Sequence, residues 1–307
     1  MKTTFSQVNK KNINKKAIEI RDCLKNEELE FISFDTEFSG GLKPINLQNK
    51  PEEIHAEYIS IAKSFALLQV GISFFFFHKE NKEDTKETRK LYCKTYNFWI
   101  IPKKYFKSDT QSLLFLLSHN FSFDKHLEKS IQFLPENRIK EKKEEKEKEN
   151  SEILPEELLL ILMKEIFITK KEKKGFVPIV GHNALYDLYF VYQQLLNDIP
   201  DFSSFMKLLD ETMPLFFDTK YLSSSFLSIP AFLHLPDVYR GAININKEKN
   251  LFEIVEMETN TSYHDAGYDS YVTGFSFAIF RELISKENLK KSTKHFFFGD
   301  FFFQDKK

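Results

Sequence analysis

The sequence predicts an α/β fold in which a mixed β-sheet is flanked by helices. Apolar runs of strand length, rich in Phe, Val and Ile, dominate the first third of the chain. Strand-like and helix-like segments alternate in the second half, which is typical of layered α/β domains. The 307 residues, 42% hydrophobic and 29% charged, are enough to bury a full core. Without an internal repeat or a Gly/Ser linker, we expect one domain over residues 1–307.

In the first part of the chain, the periodicity of apolar residues predicts helices and strands in alternation. A helix over 12–29 leads into a strand over 29–38. A second helix over 52–63 leads into a strand over 64–78. A further strand covers 95–102, where Pro102 marks its end.

The second half contains more helix. Two helical stretches, split near Phe121, are predicted within 109–133. A buried strand over 176–180 precedes a helix over 184–196, for which Asn183 is the expected N-cap. Further along, the sequence predicts a helix over 201–213 with Asp201 at its N-cap, a strand over 215–219 and a long helix over 266–285.

One segment cannot contribute to a core. Residues 138–150 are almost all Lys and Glu, so we expect an exposed, mobile insert near 136–152 or a helical extension. A binding tail is the weaker alternative, because its charges largely cancel. A smaller charged loop is expected over 170–174.

Charge and cysteine content limit the function classes. The net charge of −1 lacks the basic footprint of a tight non-specific nucleic-acid binder, but it allows an acidic site that binding of Mg²⁺ neutralises. Two cysteines are too few for a disulfide framework, so we expect a reducing intracellular compartment. We expect neither a signal peptide nor a membrane span, because the chain has no apolar run of about 20 residues.

Asp35 and Glu37 lie two residues apart in a predicted strand, so their side chains share one face. Two like charges beside phenylalanines are unfavourable without a cationic partner, and carboxylates are the ligands that Mg²⁺ prefers. The alternative is a strand edge that faces solvent.

Asp187 occupies the first turn of a predicted helix. Taken alone, it can equally be an ordinary acid that interacts favourably with the helix dipole. His264 lies on the loop that enters the last helix and Asp269 in its first turns. A histidine beside an activated water can act as general base, although a surface histidine is the plainer interpretation. Taken together and in this order, these residues indicate phosphodiester hydrolysis with two metal ions.

These stretches resemble the DEDDh 3′→5′ exonucleases of the RNase D superfamily, and within it the PARN-type deadenylases. The matching stretches are Phe34-Asp-Thr-Glu-Phe-Ser-Gly40, Phe65-Ala-Leu-Leu-Gln-Val-Gly71, Phe121-Ser-Phe-Asp-Lys125, Gly181-His-Asn-Ala-Leu-Tyr-Asp187, Phe217-Asp-Thr-Lys220 and His264-Asp-Ala-Gly-Tyr-Asp-Ser-Tyr-Val-Thr-Gly274. They span most of the chain, and the last is the most specific. The resemblance implies a ribonuclease H-like fold.

The resemblance also implies roles for individual residues. Asp35 would bridge two Mg²⁺ or Mn²⁺ ions. Glu37 and Asp269 would hold the ion that activates water, while Asp187 would hold the ion at the leaving 3′ oxygen. His264 would accept the proton of the water.

Three further residues match positions near the terminal nucleotide. They are Asn183, Lys220 and Phe38. For Phe38, packing on the terminal base or sugar and packing in the core are equally open interpretations.

The implied substrate is a single-stranded RNA 3′ end, preferably a poly(A) or oligo(A) tail. The additional RNA-binding modules of PARN are not visible in the sequence. The residues of two motifs, Phe217-Asp-Thr-Lys-Tyr221 and His264-Asp-Ala-Gly267, are more similar to those of a nuclear relative that trims small nuclear RNAs. A nuclear location is therefore slightly favoured over a cytoplasmic one, and the resemblance allows a homodimer. A catalytically silent RNA-binding member of the fold and a DNA-directed exonuclease are the alternatives.

Overall fold

The computed structural model describes residues 2–41, 49–79, 89–134, 153–168, 170–171, 175–226, 234–254, 257, 263–284 and 288. The predicted insert near 136–152 and most of the predicted charged loop lie outside these residues. Lys170–Lys171, at the start of that loop, form a strand that pairs with Gly175–Phe176 instead.

The fold is built on an eight-stranded mixed sheet, as the sequence predicts. Its strands are β1 (Thr4–Val8), β2 (Leu29–Phe38), β3 (Leu67–Lys79), β4 (Arg89–Pro102), β5 (Ile131–Phe133), β8 (Ile179–Gly181), β9 (Phe216–Asp218) and β10 (Glu253–Ile254), while β6 (Lys170–Lys171) and β7 (Gly175–Phe176) form a separate hairpin. The main strand order is β1-β4-β3-β2-β8-β9, and β5 and β10 each pair with β4. Strands β2, β3 and β4 are antiparallel, whereas β8 and β9 extend the sheet in parallel with β2.

Helices cover both faces of this sheet. They are α1 (Ile13–Lys25), α2 (Pro51–Ser64), α3 (Thr110–Ser118), α4 (Phe123–Lys129), α5 (Pro155–Phe167), α6 (Leu185–Val191, continued by a π-helical turn over Tyr192–Leu196), α7 (Phe202–Thr212), α8 (Thr219–Phe226), α9 (Leu235–Lys249) and α10 (Ala266–Leu283). None of the helices in the described parts of the chain is long and apolar enough to cross a membrane.

The structure corrects several predicted elements. The first helix ends at Lys25 rather than at residue 29, because Leu29 already pairs with Phe76 in the sheet. Strand β4 begins at Arg89, earlier than predicted, since Arg89–Lys94 pair with Phe74–Lys79 in the second half of β3. Strands β1, β5 and β10 and helices α5, α8 and α9 were not predicted. The paired helical stretches on either side of Phe121 are confirmed.

The two faces of the sheet carry different side chains. On one face, Ile32 and Phe34 of β2 join a large apolar cluster. On the other face, Phe31 packs against Phe277 of α10, and Ser33 donates a hydrogen bond of 2.6 Å to the Ser270 carbonyl of α10. Because side chains alternate along a strand, Asp35 and Glu37 share this second face.

Gly71 allows α10 to begin directly above the acidic strand. Gly71 pairs with Asp35 across β2 and β3. A Cβ atom at this position would lie 1.8 Å from the Ala266 carbonyl oxygen and 2.4 Å from the Gly267 nitrogen. Only glycine therefore permits this approach of the helix, which carries Asp269 in its first turn.

Candidate active site

The structure brings Glu37, His264 and Asp269 together. One carboxylate oxygen of each acid and one ring nitrogen of His264 lie within 4.8 Å of one another. Ligand atoms around one Mg²⁺ ion in octahedral geometry are on the order of 3–4 Å apart, so this spacing suits a small cation or a water molecule. Residues separated by more than 200 positions in the sequence thus meet at one point.

Asp35 lies beside this group on the same face of β2. Burial raises the pKa of its carboxyl well above the usual range, and the nearby charges of Asp187 and Asp269 raise it further. The pKa of Glu37 is raised in the same way, by burial first and then by Asp269 and Asp187. Since these acids destabilise each other's ionised forms, the cluster favours the binding of positive charge.

Asp187 reaches the site from α6. The hydroxyl of Thr36, between the two acids of β2, donates a 2.6 Å hydrogen bond to Asp187 Oδ1. The side chain is 9% exposed, and burial raises the pKa of the Asp187 carboxyl to about 6. Thr36 thereby holds the acid of one helix against the acidic strand.

The loop that carries His264 is fixed on its C-terminal side. His264 adopts a φ of 68°, and its backbone N–H donates to Asp269 Oδ2 at 2.9 Å. Asp265 caps α10 by accepting from the Tyr268 N–H at 3.2 Å, and it also accepts a 2.9 Å hydrogen bond from Asn97 Nδ2 of β4. These contacts place the imidazole at the start of the helix that supplies Asp269.

Asp269 retains a free ligand atom. Its Oδ1 is buried and has no hydrogen-bond partner among the described residues. Burial raises the pKa of this carboxyl to about 7. A buried carboxylate oxygen without a partner is costly, and a divalent cation at this position would satisfy it. The residues present therefore fit a metal ion.

The three residues predicted to contact substrate, Phe38, Asn183 and Lys220, lie at or just after the C-terminal ends of the parallel strands β2, β8 and β9. The separate prediction that Asn183 is an N-cap is wrong. Asn183 is not the N-cap of α6, since it is exposed and adopts a φ of 54°. The N-cap is Ala184, which has no side-chain cap, and its own N–H donates a 2.9 Å hydrogen bond to Asp218 of β9. Lys220 follows on the same turn, and its backbone N–H also donates to Asp218, at 2.8 Å.

Phe38 packs against the protein. Its ring stacks on that of Phe190 in α6, with ring centroids 4.4 Å apart, and its side chain is only partly buried. The core interpretation of Phe38 accounts for this contact, and its packing on the terminal nucleotide stays a prediction.

Sequence reasoning missed several residues that shape the site. Thr36 lies between the two acids, but nothing in a strand pattern indicates a hydrogen bond to a distant helix. Asp218 occurs in one of the matching stretches, but the sequence gives it no role. Another residue, His119 of the α3 terminus, places its ring 4.0 Å from the ring of His264, measured between centroids. No spacing in the sequence connects the two histidines.

Relatives of known sequence share parts of this chain. A segment of 158 residues is 30% identical to the pre-piRNA 3′-exonuclease trimmer of Bombyx mori, covering 46% of this chain and 29% of that protein. A segment of 127 residues is 29% identical to an uncharacterised protein of Schizosaccharomyces pombe, covering 38% of this chain and 27% of the relative. The matched segments thus span less than a third of the length of either relative.

Solved structures of low sequence identity share the fold over nearly the whole chain. The Mg²⁺- and Mn²⁺-bound form of S. pombe Pop2p has a TM-score of 0.58 and 20% identity, covering 93% of this chain and 94% of that one. Yeast CAF1, crystallised with the NOT1 MIF4G domain, has a TM-score of 0.55 and 19% identity, covering 91% and 88%. The predicted ribonuclease H-like fold is confirmed by these neighbours.

A family comparison assigns the chain as a whole. The model of the CAF1 family ribonucleases matches residues 8–177 and 161–277, which include the acidic strand, Asp187, His264 and Asp269. This match agrees with the DEDDh resemblance seen in the sequence motifs. The chain belongs to the CAF1 ribonuclease family.

Proposed function

We propose that this chain is a 3′→5′ exoribonuclease that uses two divalent metal ions, Mg²⁺ or Mn²⁺, and releases 5′-mononucleotides. The observation that carries the proposal is the convergence of Glu37, His264 and Asp269 within 4.8 Å, beside Asp35 and Asp187. A catalytically silent member of the fold would have no need to keep four mutually destabilising carboxylates near one another and beside a histidine.

The carboxylates divide into two groups of ligands. Glu37 and Asp269 would hold one ion, Asp187 would hold the other, and Asp35 would lie between them. Bound ions would neutralise these charges, lower the pKa of the attacking water and stabilise negative charge on the departing 3′ oxygen. The partnerless Oδ1 of Asp269 supports its place in this set.

His264 would accept the proton of the attacking water at a ring nitrogen. Burial lowers the pKa of its imidazole, and the neighbouring His119 lowers it further. The ring is then neutral at pH 7 and has a free lone pair for a proton. Its backbone bond to Asp269 keeps the base and a metal ligand in fixed relation.

The proposed substrate is a single-stranded RNA 3′ end, with poly(A) or oligo(A) tails preferred. The name of the B. mori relative, a trimmer of RNA 3′ ends, supports this substrate class. Asn183, Lys220 and Phe38 are the proposed contacts to the terminal nucleotide. A homodimer and a nuclear place of action stay predictions, to which the comparisons give no support.

A time course on 5′-labelled RNA ending in oligo(A) tests the function. With Mg²⁺ we expect stepwise shortening from the 3′ end, abolished by EDTA. Asp35→Ala should reduce the rate by at least about 10³-fold, the equivalent of the several kcal/mol that metal ions contribute to such transition states. Asp210→Ala, which removes an exposed acid of α7, is the matched control and should keep the full rate.

Other substrates separate the alternatives. An RNA ending in oligo(U) measures the preference for adenine, and a DNA strand of the same sequence tests a DNA-directed activity. If folded protein shortens no substrate with either metal, the silent RNA-binding interpretation replaces this proposal. If Asp35→Ala stays near the wild-type rate, the assignment of metal ligands fails.

A further inference from the structure

We propose that His119 is a positioning residue for the general base His264. The inference rests on the proposed function, because it assumes that His264 takes part in catalysis. It deepens that function by naming a residue, on an element separate from the acidic strand and from α10, that holds the imidazole in place.

The first observation is the packing of three rings. The centroids of the His119 and His264 rings lie 4.0 Å apart, with planes inclined at 62°. The Phe115 ring, one turn earlier on α3, lies 4.6 Å from His264 and 4.4 Å from His119. Two side chains of one helix thus contact the ring of the proposed base.

The orientation of His119 is itself fixed. Its Nδ1 lies 2.8 Å from the Phe115 carbonyl oxygen, which can only accept, so Nδ1 carries the proton and donates. Its side chain is partly buried. This hydrogen bond holds the imidazole of His119 against its own helix and presents the ring to His264.

Helix α3 is fastened at its C-terminal end, where His119 lies. Asn120 adopts a left-handed φ of 65°, the Phe121 N–H donates to the Leu116 carbonyl at 3.0 Å, and the Asn120 N–H donates to the Leu117 carbonyl at 3.2 Å. This pattern is a Schellman motif, and the accompanying apolar contact between Leu116 and Phe121 is also present. The backbone of His119 is therefore well determined.

The other end of α3 is tied to the acidic strand. Asp109 caps the helix by accepting from the Ser112 N–H at 2.7 Å, and it also accepts from the Gly41 N–H at 3.0 Å. The Asp109 N–H in turn donates to the Ser39 carbonyl at 3.0 Å. Since Ser39 follows directly on β2, α3 and the carboxylates of β2 form one connected unit.

His264 needs such a support. Its backbone has a positive φ of 68°, which few residues other than glycine adopt without cost. The hydrogen bond to Asp269 fixes its main chain, but the side-chain torsions of a histidine are not determined by that bond. The rings of Phe115 and His119 supply the missing constraint, because they restrict the orientation in which the imidazole can face Glu37 and Asp269.

The test compares His119→Ala with His119→Phe, which keeps a ring. Rates on oligo(A) RNA with saturating Mg²⁺ should show kcat reduced about 10-fold for His119→Ala, a part of the 10²–10⁴-fold that a general base contributes. We expect KM to stay within about 2-fold, and His119→Phe to recover most of the rate. Leu114→Ala, which truncates an exposed side chain of the same helix, is the control and should leave both constants unchanged.

A double-variant cycle separates positioning from other roles. When His264→Ala is already present, adding His119→Ala should cause no further loss, since there is no longer a base to position. An equal loss in both backgrounds would overturn the inference, as would a rise in KM with unchanged kcat, which would make His119 an RNA contact. If His119→Ala does not fold, His119→Gln replaces it in the same cycle.

A measurement without catalysis completes the test. In the ¹H–¹³C NMR spectrum of the metal-free protein, the ring signals of His264 should shift toward unperturbed values in His119→Ala, because a neighbouring ring is lost. An unchanged signal would contradict the packing. If the wild-type protein has no nuclease activity, the proposed function is wrong, but the contact between His119 and His264 can still be present. If the wild-type protein is active and His119→Ala has the same rate, only the positioning role of His119 is wrong.

Discussion

The two faces of the central sheet differ in the polarity of the side chains that cover them. The face below α1, α2, α5 and α6 is packed with large apolar side chains, many of them fully buried. The face below α10 begins with apolar packing around Phe31 and Phe75, continues through a layer of hydroxyl groups, and ends in the carboxylate cluster. The apolar face stabilises the folded state, whereas the second face lowers the free energy of unfolding because it holds like charges together.

A layer of hydroxyl groups separates the apolar part of the second face from its carboxylates. Ser33, Ser73 and Ser270 are connected by hydrogen bonds of 2.6 and 2.8 Å, and Thr95 extends the chain to β4 at 2.7 Å. Small polar residues let α10 lie close to the sheet while each of these four hydroxyls finds a partner. The helix can then carry Asp269 to within reach of Glu37.

The largest effect on stability should come from the apolar face. Phe74→Ala removes a fully buried ring that contacts Tyr96, so we expect the free energy of unfolding to fall by about 3–5 kcal/mol. Urea denaturation of the metal-free protein measures this loss. Ile18→Ala, at an exposed position of α1, should change stability by less than about 0.5 kcal/mol. A loss below about 1 kcal/mol for Phe74→Ala would contradict the assignment of this face as the main core.

The carboxylate face should respond to pH in the opposite sense from an ordinary ion pair. The folded-state pKa of Asp269, about 7, lies above its unfolded value, so the folded protein binds an extra proton between about pH 4 and pH 7. Stability from this group is present at low pH and is lost as the pH rises through 7. Relative to Asp269→Asn, we expect wild-type protein in EDTA to lose about 2–3 kcal/mol between pH 5 and pH 8.

Metal ions sharpen this prediction. Saturating Mg²⁺ should restore the stability lost by wild type at pH 8, because an ion that binds only the folded state stabilises it. Asp269→Asn should gain much less from Mg²⁺. Parallel pH profiles for the two proteins, with or without the ion, would show that the cluster is not under electrostatic stress. Urea titrations at both pH values provide the measurement.

Gly71 tests the boundary between the two faces. Gly71→Ala places a methyl group in the space of the Ala266 carbonyl, so we expect a loss of about 1–3 kcal/mol and a lower nuclease rate as α10 shifts. Gly241→Ala, in the middle of α9, is the matched control, since nothing lies within 4 Å of its added Cβ atom. That variant should gain about 0.5–1 kcal/mol. Thermal melts and rates on oligo(A) RNA measure both effects. If Gly71→Ala changes neither stability nor rate, α10 does not approach β3 as closely as described.

The smallest effect should arise within the hydroxyl layer. Ser33→Ala removes one donor to the Ser270 carbonyl and should cost about 1 kcal/mol, while the nuclease rate stays within about 3-fold. Chemical denaturation together with single-turnover rates would check both values. A large fall in rate without a fall in stability would mean that Ser33 acts on the acidic cluster directly.

Much of the site could be predicted from the sequence because its residues are carried by short local motifs. Asp35 and Glu37 share a face by the alternation of a strand, and His264 and Asp269 share the start of a helix. By contrast, the N-cap role assigned to Asn183 was wrong, because Asn183 adopts a φ of 54° and Ala184 is the N-cap, with its N–H bonded to Asp218 of the neighbouring strand. Local preference indicated a plausible residue, whereas the chain enters α6 in a conformation that a non-local hydrogen bond to Asp218 helps to fix.

The sequence by itself determined the α/β class, the acidic residues and the order in which they occur, since periodicity and motif spacing are local properties of a chain. Only the tertiary structure decided that Thr36 would hold Asp187, that Gly71 would admit α10, and that His119 would reach His264. These contacts join residues far apart in the sequence. They depend on sheet register, helix approach and the way in which α3 is anchored at both ends, none of which leaves a periodic signal.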